Sequence, residues 1–133
     1  MPPYRLGRES PSSRLKPKVM EIKRILPDSP LAFIQTSVKQ RRIFWTHHVN
    51  MRLKGRYISR RAILDSVDRY EVIESYPKDK YFPSYLVRSK YEDFVFHILF
   101  AADVEDGNVR IVTAYFPNPD EWEDDLKRRR QLR

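Results

Sequence analysis

From residue 71 onward the apolar side chains recur at every second position, and this alternation most constrains the fold. It appears in four segments rich in Val, Ile, Phe and Tyr, at residues 71–77, 84–90, 94–104 and 109–117. Successive side chains of a β-strand point to opposite faces of its sheet, so the alternation predicts strands. Short turns at residues 91–93 and 105–108 join neighbouring segments. The sequence therefore predicts a four-stranded antiparallel sheet.

Before the sheet, the apolar positions follow a helical period instead. Ser29 and Pro30 suit the first residues of a helix, and Thr46 and Ser59 are predicted N-caps. A hydroxyl at that position can accept a hydrogen bond from an unpaired amide of the first turn. The predicted helices cover residues 17–26, 29–45, 47–55 and 60–70.

The segment after the last strand is predicted to form a C-terminal helix. Its acidic residues come early and its basic residues late, which complements the helix dipole. Trp122 and Leu126 are one turn apart and form its packing stripe. The predicted fold class is α+β, with N-terminal helices packed on the sheet and this helix at the end. The predicted division is a mobile basic leader at 1–18, one domain at 19–117 and the charged helix at 118–133.

The positive charge of the chain is concentrated in its first half. The whole chain has 26 Lys and Arg against 18 Asp and Glu, a net charge of +8. Residues 1–60 hold 14 of the bases and 3 of the acids, net +11, which leaves 12 and 15, net −3, for residues 61–133. Such an asymmetry favours a polyanion such as RNA as the ligand. It also offers a docking surface to an acidic protein.

Composition excludes several classes of protein. The chain has no cysteine, so it has neither disulfides nor thiolate metal sites. Residues 1–18 lack the apolar stretch of a secretory signal, and the longest nearly apolar run, residues 94–102, is too short to cross a bilayer. We therefore expect a cytoplasmic protein that does not bind membranes.

Motifs for nucleotide cofactors and metals are also missing from the sequence. With only three glycines, it contains no glycine-rich phosphate loop, and it has no HExxH motif. His47 and His48 are neighbours, about 100° apart on a helix, so both cannot point at one zinc ion. The acidic residues at 103–106 and 120–125 suit a solvated surface. We therefore predict neither a cofactor nor a metal.

RNA cleavage without a metal needs only two proton-transfer groups and one or two fixed cations. His48, Arg52 and Arg56 are spaced by four residues, which stacks them on one face of a helix. Histidine can act as base or acid near neutral pH, and arginine holds phosphate oxygens with a fork of donors. This stripe is a candidate catalytic surface. The alternative is the solvated basic face of an ordinary amphipathic helix.

Three residues of the predicted sheet could complete such a site. His97 lies in the third strand, on the face opposite Phe96. Strict alternation places Thr113 and Tyr115 on one face of the last strand together with Ile111. The two hydroxyls could orient phosphate or donate a proton. The alternatives are a buried histidine bonded to a backbone carbonyl, and ordinary strand-forming Thr and Tyr.

Between residues 46 and 117 the chain contains a series of short motifs, which are His48-Val49, Arg52-Leu53, Arg56-Tyr57-Ile58-Ser59, Tyr76-Pro77, Phe96-His97-Ile98 and Val112-Thr113-Ala114-Tyr115-Phe116-Pro117. In order and spacing these motifs resemble the family known as domain of unknown function 4258. Tyr57 stands where the family usually has glycine. The resemblance also suggests an extended segment at 43–45, which leaves the end of the second predicted helix open.

The resemblance implies the small fold of RelE-like and barnase-like ribonucleases, many of them toxins of toxin–antitoxin pairs. It implies an RNA endonuclease acting on messenger or ribosome-associated RNA and neutralised by an acidic antitoxin protein. By motif position the inferred catalytic residues are His48, His97, Arg52, Arg56, Tyr115 and Thr113. The basic residues predicted to bind RNA around them are Arg41, Arg42, His47, Lys54 and Arg60.

Two other functions fit the same sequence. The first is a module that binds nucleic acid or protein and has kept the scaffold without the catalysis. The second is a structural subunit of a defined oligomer, with the arginine stripe in the contact. Three measurements distinguish these functions. Cleavage of RNA in EDTA indicates the enzyme, binding without cut products indicates the module, and a defined oligomer in light scattering indicates the structural subunit.

Overall fold

A computed structural model of the protein describes residues 25–45 and 58–131. Within them the chain folds into one five-stranded sheet and two short α-helices. The helices are α1 (Pro30–Lys39) and α2 (Arg60–Asp65), and a single 3-10 turn, Val67–Arg69, follows α2. The strands are β1 (Ile43–Trp45), β2 (Glu71–Tyr76), β3 (Ser84–Tyr91), β4 (Phe94–Asp103) and β5 (Asn108–Tyr115).

The sheet differs from the predicted one because it has a fifth, parallel strand. Its order is β1-β5-β4-β3-β2, and β2 to β5 form an antiparallel meander where the alternation predicted strands. Strand β1 pairs in parallel with β5, with Ile43 opposite Val109 and Trp45 opposite Ile111. Three residues are too few to show alternation. The prediction of a four-stranded antiparallel sheet is therefore wrong, and the sheet is mixed.

Both helices begin at the predicted serine caps but end earlier than predicted. The Ser29 hydroxyl accepts from the amide of Ala32, and the Ser59 hydroxyl accepts from the amide of Ala62. Helix α1 ends at Lys39, and Arg41 takes a left-handed conformation with φ 62° that no regular helix continues. The predicted helix at 47–55 and all but the last two residues of the one at 17–26 lie outside the described residues; residues 25–26 are not helical.

The predicted C-terminal helix does not form. Residues 117–131 instead make turns closed by a bridge between Trp122 and Arg129. Leu126 is left-handed, with φ 57°, which is incompatible with a continuing helix. Tertiary contacts explain the difference, because Trp122 is buried at 1% exposure and Arg129 pairs with Glu74 of β2. The dipole pattern of the sequence is a weak preference that these contacts override.

One face of the sheet packs on the helices and holds the main core. Ile34 and Val38 of α1 and Ile63 of α2 lie against Ile98 and Phe100 of β4. The opposite face, which we call the second face, carries His97 and is partly covered by residues 117–131. No helix in the described ranges has the length and apolar character needed to span a bilayer.

A β-bulge in β5 changes which residues share the second face. Leu99 pairs with Thr113 and Phe100 pairs with Ile111, so Val112 is the extra residue. Ile111 therefore lies in the core, and the prediction that it shares a face with Thr113 and Tyr115 is wrong. Strict alternation missed it because a bulge places two successive residues on the same side of a strand.

Replacing Phe100 by Ala is expected to destabilise the fold by about 3–5 kcal/mol, since it opens a cavity in the core. Urea denaturation of the purified protein measures the change. Tyr81→Ala is the control, because Tyr81 is 76% exposed and its loss is expected to change the free energy of unfolding by about 0.5 kcal/mol or less. Equal losses in the two variants would contradict the assignment of the core.

Candidate functional site

Three of the predicted site residues lie together on the second face of the sheet. His97 of β4 is directly opposite Tyr115 of β5, and Leu99 is opposite Thr113. Thr113 and Tyr115 are therefore on the strand next to His97, separated by Ala114, which points into the core. The fold brings these three side chains to one place, as a shared site requires.

The other predicted catalytic residues, His48, Arg52 and Arg56, lie outside the described residues. The same is true of His47 and Lys54, which were predicted to bind RNA. Their roles stay predictions.

The remaining residues predicted to bind RNA make contacts elsewhere. Arg41 donates to the carbonyl of Val38 at 3.1 Å, and Arg42 donates to the carbonyl of Asp106 at 3.4 Å. The Arg60 guanidinium lies 4.8 Å from the centre of the Trp45 ring. These contacts are with α1, the turn before β5 and strand β1, so they do not join the three arginines to the His97 cluster.

His97 is completely buried beneath the C-terminal segment. Its Nε2 is 2.8 Å from the carbonyl oxygen of Leu126, and its Nδ1 is 3.3 Å from the hydroxyl of Tyr115. The indole of Trp122 meets its ring edge to face, with 4.5 Å between the ring centres. The imidazole is therefore held on three sides, and within the described part of the chain it has no open route to solvent.

These contacts determine the tautomer of the His97 ring. A carbonyl oxygen only accepts hydrogen bonds, so Nε2 must carry a proton and donate it to Leu126. Burial disfavours the imidazolium and lowers the pKa of His97 below its ordinary value of 6.5, so the ring is neutral at pH 7. Nδ1 of the neutral ring is then an acceptor, and the Tyr115 hydroxyl donates to it.

Tyr115 connects the buried histidine to an open cleft. Its ring is partly buried, and burial raises the pKa of its hydroxyl to about 12, so the hydroxyl is protonated at neutral pH. The cleft has a volume of about 330 Å³, and Thr113, Tyr115, Tyr76 and Arg129 line it. Because the Tyr115 proton is directed at His97, the lone pairs of the hydroxyl oxygen are free to accept a hydrogen bond from a ligand.

A cation and a carboxylate stand beside this cleft. Arg129 donates from Nε to Glu74 at 2.7 Å, and its guanidinium lies 4.5 Å from the centre of the Trp122 ring. Burial opposes ionisation of Glu74, but hydrogen bonds from Arg129 and Tyr76 bring its pKa below the ordinary value. Arg129 is therefore permanently charged at the cleft wall, and the ionised Glu74 both fixes its position and balances its charge.

Sequence reasoning missed Arg129, Glu74 and Trp122 as parts of this site. The bases at 127–130 were visible as a charge run, but a helix was predicted there, which gave no reason to place them on the sheet. The cleft depends on the pairing of Arg129 with Glu74, which is 55 positions earlier in the chain. No local pattern in the sequence shows that pairing. Residues 25–45 and 58–131 contain no group of three His, Asp or Glu side chains that could bind a metal ion.

The comparisons with known proteins give one match. A family model described as Domain of unknown function (DUF4258) matches residues 45–116, which is more than half of the chain. The predicted family membership is confirmed. The match ends before the C-terminal segment that covers His97. No curated protein and no solved structure matches the chain.

The free energy of unfolding is expected to fall as the pH decreases below about 6.5. The pKa of His97 is lower in the folded state, so the unfolded chain binds more protons in this range. The contribution of neutral His97 to the free energy of unfolding is complete above pH 6.5. It is lost as the pH falls through the pKa that His97 has in the folded state, at up to about 1.4 kcal/mol per pH unit.

Urea denaturation between pH 5 and 7.5 measures this dependence, with His97→Gln as the matched variant. Glutamine can keep both hydrogen bonds but does not titrate. The variant is expected to have a flatter profile than the wild type. Identical profiles would show that His97 is not the buried titrating group.

Proposed function

We propose that the chain, which belongs to the family described as Domain of unknown function (DUF4258), is a metal-independent RNA endonuclease of the RelE-like and barnase-like type. In the reaction, the ribose 2′-hydroxyl attacks the adjacent phosphorus and the 5′-oxygen of the next nucleotide leaves. The products are a 2′,3′-cyclic phosphate and a free 5′-hydroxyl. The observation that carries the proposal is the meeting of Thr113, Tyr115 and Arg129 at one cleft, with the buried His97 in contact with the Tyr115 hydroxyl.

The base in this proposal is a relay of two residues. The 2′-hydroxyl donates a hydrogen bond to the Tyr115 oxygen, which faces the cleft, while Tyr115 donates to Nδ1 of His97. As the 2′-oxygen attacks, its proton passes to Tyr115 and the Tyr115 proton passes to His97. Tyr115 ends neutral and His97 ends as imidazolium. His97 thus acts through Tyr115, and its burial is compatible with a role in proton transfer.

The charge that builds up on the phosphate needs cations and donors. Thr113, next to Tyr115 in the cleft, can donate its hydroxyl to a phosphate oxygen. Arg129 also lines the cleft, and the N–H groups that Glu74 does not occupy can donate to the phosphate. In the proposal Arg52 and Arg56 also hold the phosphate, and His48 protonates the leaving 5′-oxygen. These three residues come from the family pattern and the spacing of the sequence.

The proposed biological role is that of a toxin in a toxin–antitoxin pair, acting on messenger or ribosome-associated RNA. The support is the basic first half of the chain, with 14 Lys and Arg against 3 Asp and Glu over residues 1–60. An acidic antitoxin has complementary charge and would compete with RNA for this surface.

A second function is favoured by the burial of His97. Both of its ring nitrogens already have partners within the protein, as in a histidine that only supports the fold. A domain of this kind would bind RNA or a protein without cutting anything. The relay separates the two functions, because only the enzyme needs a group at position 97 that accepts a proton.

Cleavage of single-stranded RNA in EDTA tests the proposal. The wild-type protein is expected to release products ending in a 2′,3′-cyclic phosphate. Tyr115→Phe and His97→Gln are each expected to slow cleavage by about 10²–10⁴-fold, since each interrupts the relay. The acidic limb of the rate profile should lie below pH 6.5, where His97 becomes protonated.

Two further measurements complete this test. Tyr91→Phe removes a hydroxyl from the core side of the sheet and is expected to leave the rate unchanged. His97→Gln is compared with the wild type in thermal stability, so that a loss of activity is not confused with unfolding. RNA binding by the wild type without cut products would refute the enzyme and support the binding module. Full activity in His97→Gln would refute the relay through His97.

A further inference from the structure

A second, larger opening lies on the same face of the sheet, next to the cleft. Its volume is about 830 Å³, which is within the roughly 300–1,000 Å³ typical of ligand sites. Its floor contains Ser84 and Ala101, which are directly opposite each other on β3 and β4. These two small side chains leave space where a sheet face usually carries larger ones. We call this opening the aromatic groove.

The walls of the aromatic groove combine exposed rings with cations. Tyr81 and Phe82 belong to the loop between β2 and β3, and Arg110 of β5 lies opposite them. The Arg110 guanidinium is 4.9 Å from the centre of the Phe82 ring and 5.6 Å from that of Phe44. Tyr81 is 76% exposed and Phe44 is 55% exposed.

Lys80 adds a second cation, with its ammonium 5.2 Å from the centre of the Tyr81 ring. Both cations therefore lie over ring faces and next to open space. Asp79 is the acidic residue of the lining, and the Arg110 guanidinium is also 4.0 Å from a carboxylate oxygen of Asp103, so two acids partly balance the two cations. Rings for bases and cations for phosphates are the two components of proteins that bind single-stranded nucleic acid.

We propose that the aromatic groove binds the bases of single-stranded RNA next to the cleavage site. Bases stack on Tyr81 and Phe82, and Arg110 and Lys80 contact the phosphates between them. The inference deepens the proposed function, on which it rests for the identity of the ligand as RNA. It assigns a binding site for nucleotides that flank the cut.

The position of the groove relative to the cleft supports this assignment. Asp79 lines both openings, so the two are adjacent. The bulge at Val112 places Val112 in the groove and Thr113 in the cleft, one residue apart on β5. From Arg110 to Tyr115, opposite Ala101 and His97 on β4, the strand extends about 14 Å at roughly 3.4 Å per paired residue, so a strand of RNA laid along β5 meets both sites.

A duplex suits this groove less well than a single strand. The bases of a duplex are stacked on each other and paired, so their faces are not available to Tyr81 and Phe82. An acidic protein partner would use the cations but would not need the flat exposed rings. The combination of rings and cations therefore favours single-stranded RNA.

Binding of a labelled single-stranded 2′-O-methyl RNA measured by fluorescence anisotropy tests the inference. This RNA has no free 2′-hydroxyl, so it binds without being cut. The wild-type protein is expected to bind it with an affinity that falls as salt increases. Tyr81→Ala and Arg110→Gln are each expected to weaken binding by about 5- to 100-fold. Tyr81→Phe keeps the ring and is expected to bind like the wild type.

Phe94→Ala is the matched control, because Phe94 is also a partly exposed ring but packs beside Phe116 rather than in the groove. It should not change the affinity. Unchanged binding in Tyr81→Ala and Arg110→Gln would overturn the inference. Preference for a paired form of the same RNA, or for an acidic polypeptide that competes through Tyr81, would also overturn it.

The cleavage assay distinguishes failure of the aromatic-groove inference from failure of the proposed enzymatic function. Loss of binding in the Tyr81 and Arg110 variants of a protein that never cuts RNA would support the groove and refute the enzyme. Cleavage that depends on Tyr115, in a protein whose RNA affinity is unaffected by the two variants, would support the enzyme and refute the groove.

Discussion

The hydrogen bond from His97 to the carbonyl of Leu126 is the contact on which the arrangement of the second face depends. It joins the central strand to a segment that lies beyond the matched family region. It also determines the tautomer, because a carbonyl can only accept, and the tautomer in turn directs the Tyr115 hydroxyl towards the histidine. This contact thus joins the others that hold the C-terminal segment, among them Arg129 with Glu74, and it leaves the Tyr115 oxygen as an acceptor at the cleft.

The two faces of the sheet have different roles. One is covered by α1 and α2 and supplies the core. The other carries the His97 cluster, the cleft and the aromatic groove, and the C-terminal segment covers it only in part. The bulge at Val112 allows β5 to serve both faces. It keeps Ile111 and Ala114 in the core and brings Val112 and Thr113 to the second face. The proposed RNA path follows β5 across this surface.

The sequence predicted the strands of the meander and the shared position of His97, Thr113 and Tyr115 because alternation is a local property. Alternation did not predict β1, which is three residues long and was indicated only by the family resemblance as an extended segment at 43–45. Nor did it predict the bulge, which departs from alternation by one residue. It predicted a helix at 118–133 because the early acids, the late bases and the spacing of Trp122 and Leu126 are visible in a sequence. The contacts that prevent that helix, Arg129 with Glu74 and Trp122 with His97, join residues far apart in the chain. The cleft and the groove depend on such distant contacts, so neither was visible beforehand.

The central claim is that the buried His97 presents an unprotonated Nδ1 to the hydroxyl of Tyr115. Heteronuclear NMR of the His97 ring nitrogens at neutral pH measures this directly. The account predicts a neutral ring protonated only at Nε2, with a hydrogen bond from that nitrogen to a carbonyl. A ring protonated at Nδ1, or an imidazolium at neutral pH, would contradict it, because Tyr115 would then have no acceptor for its proton.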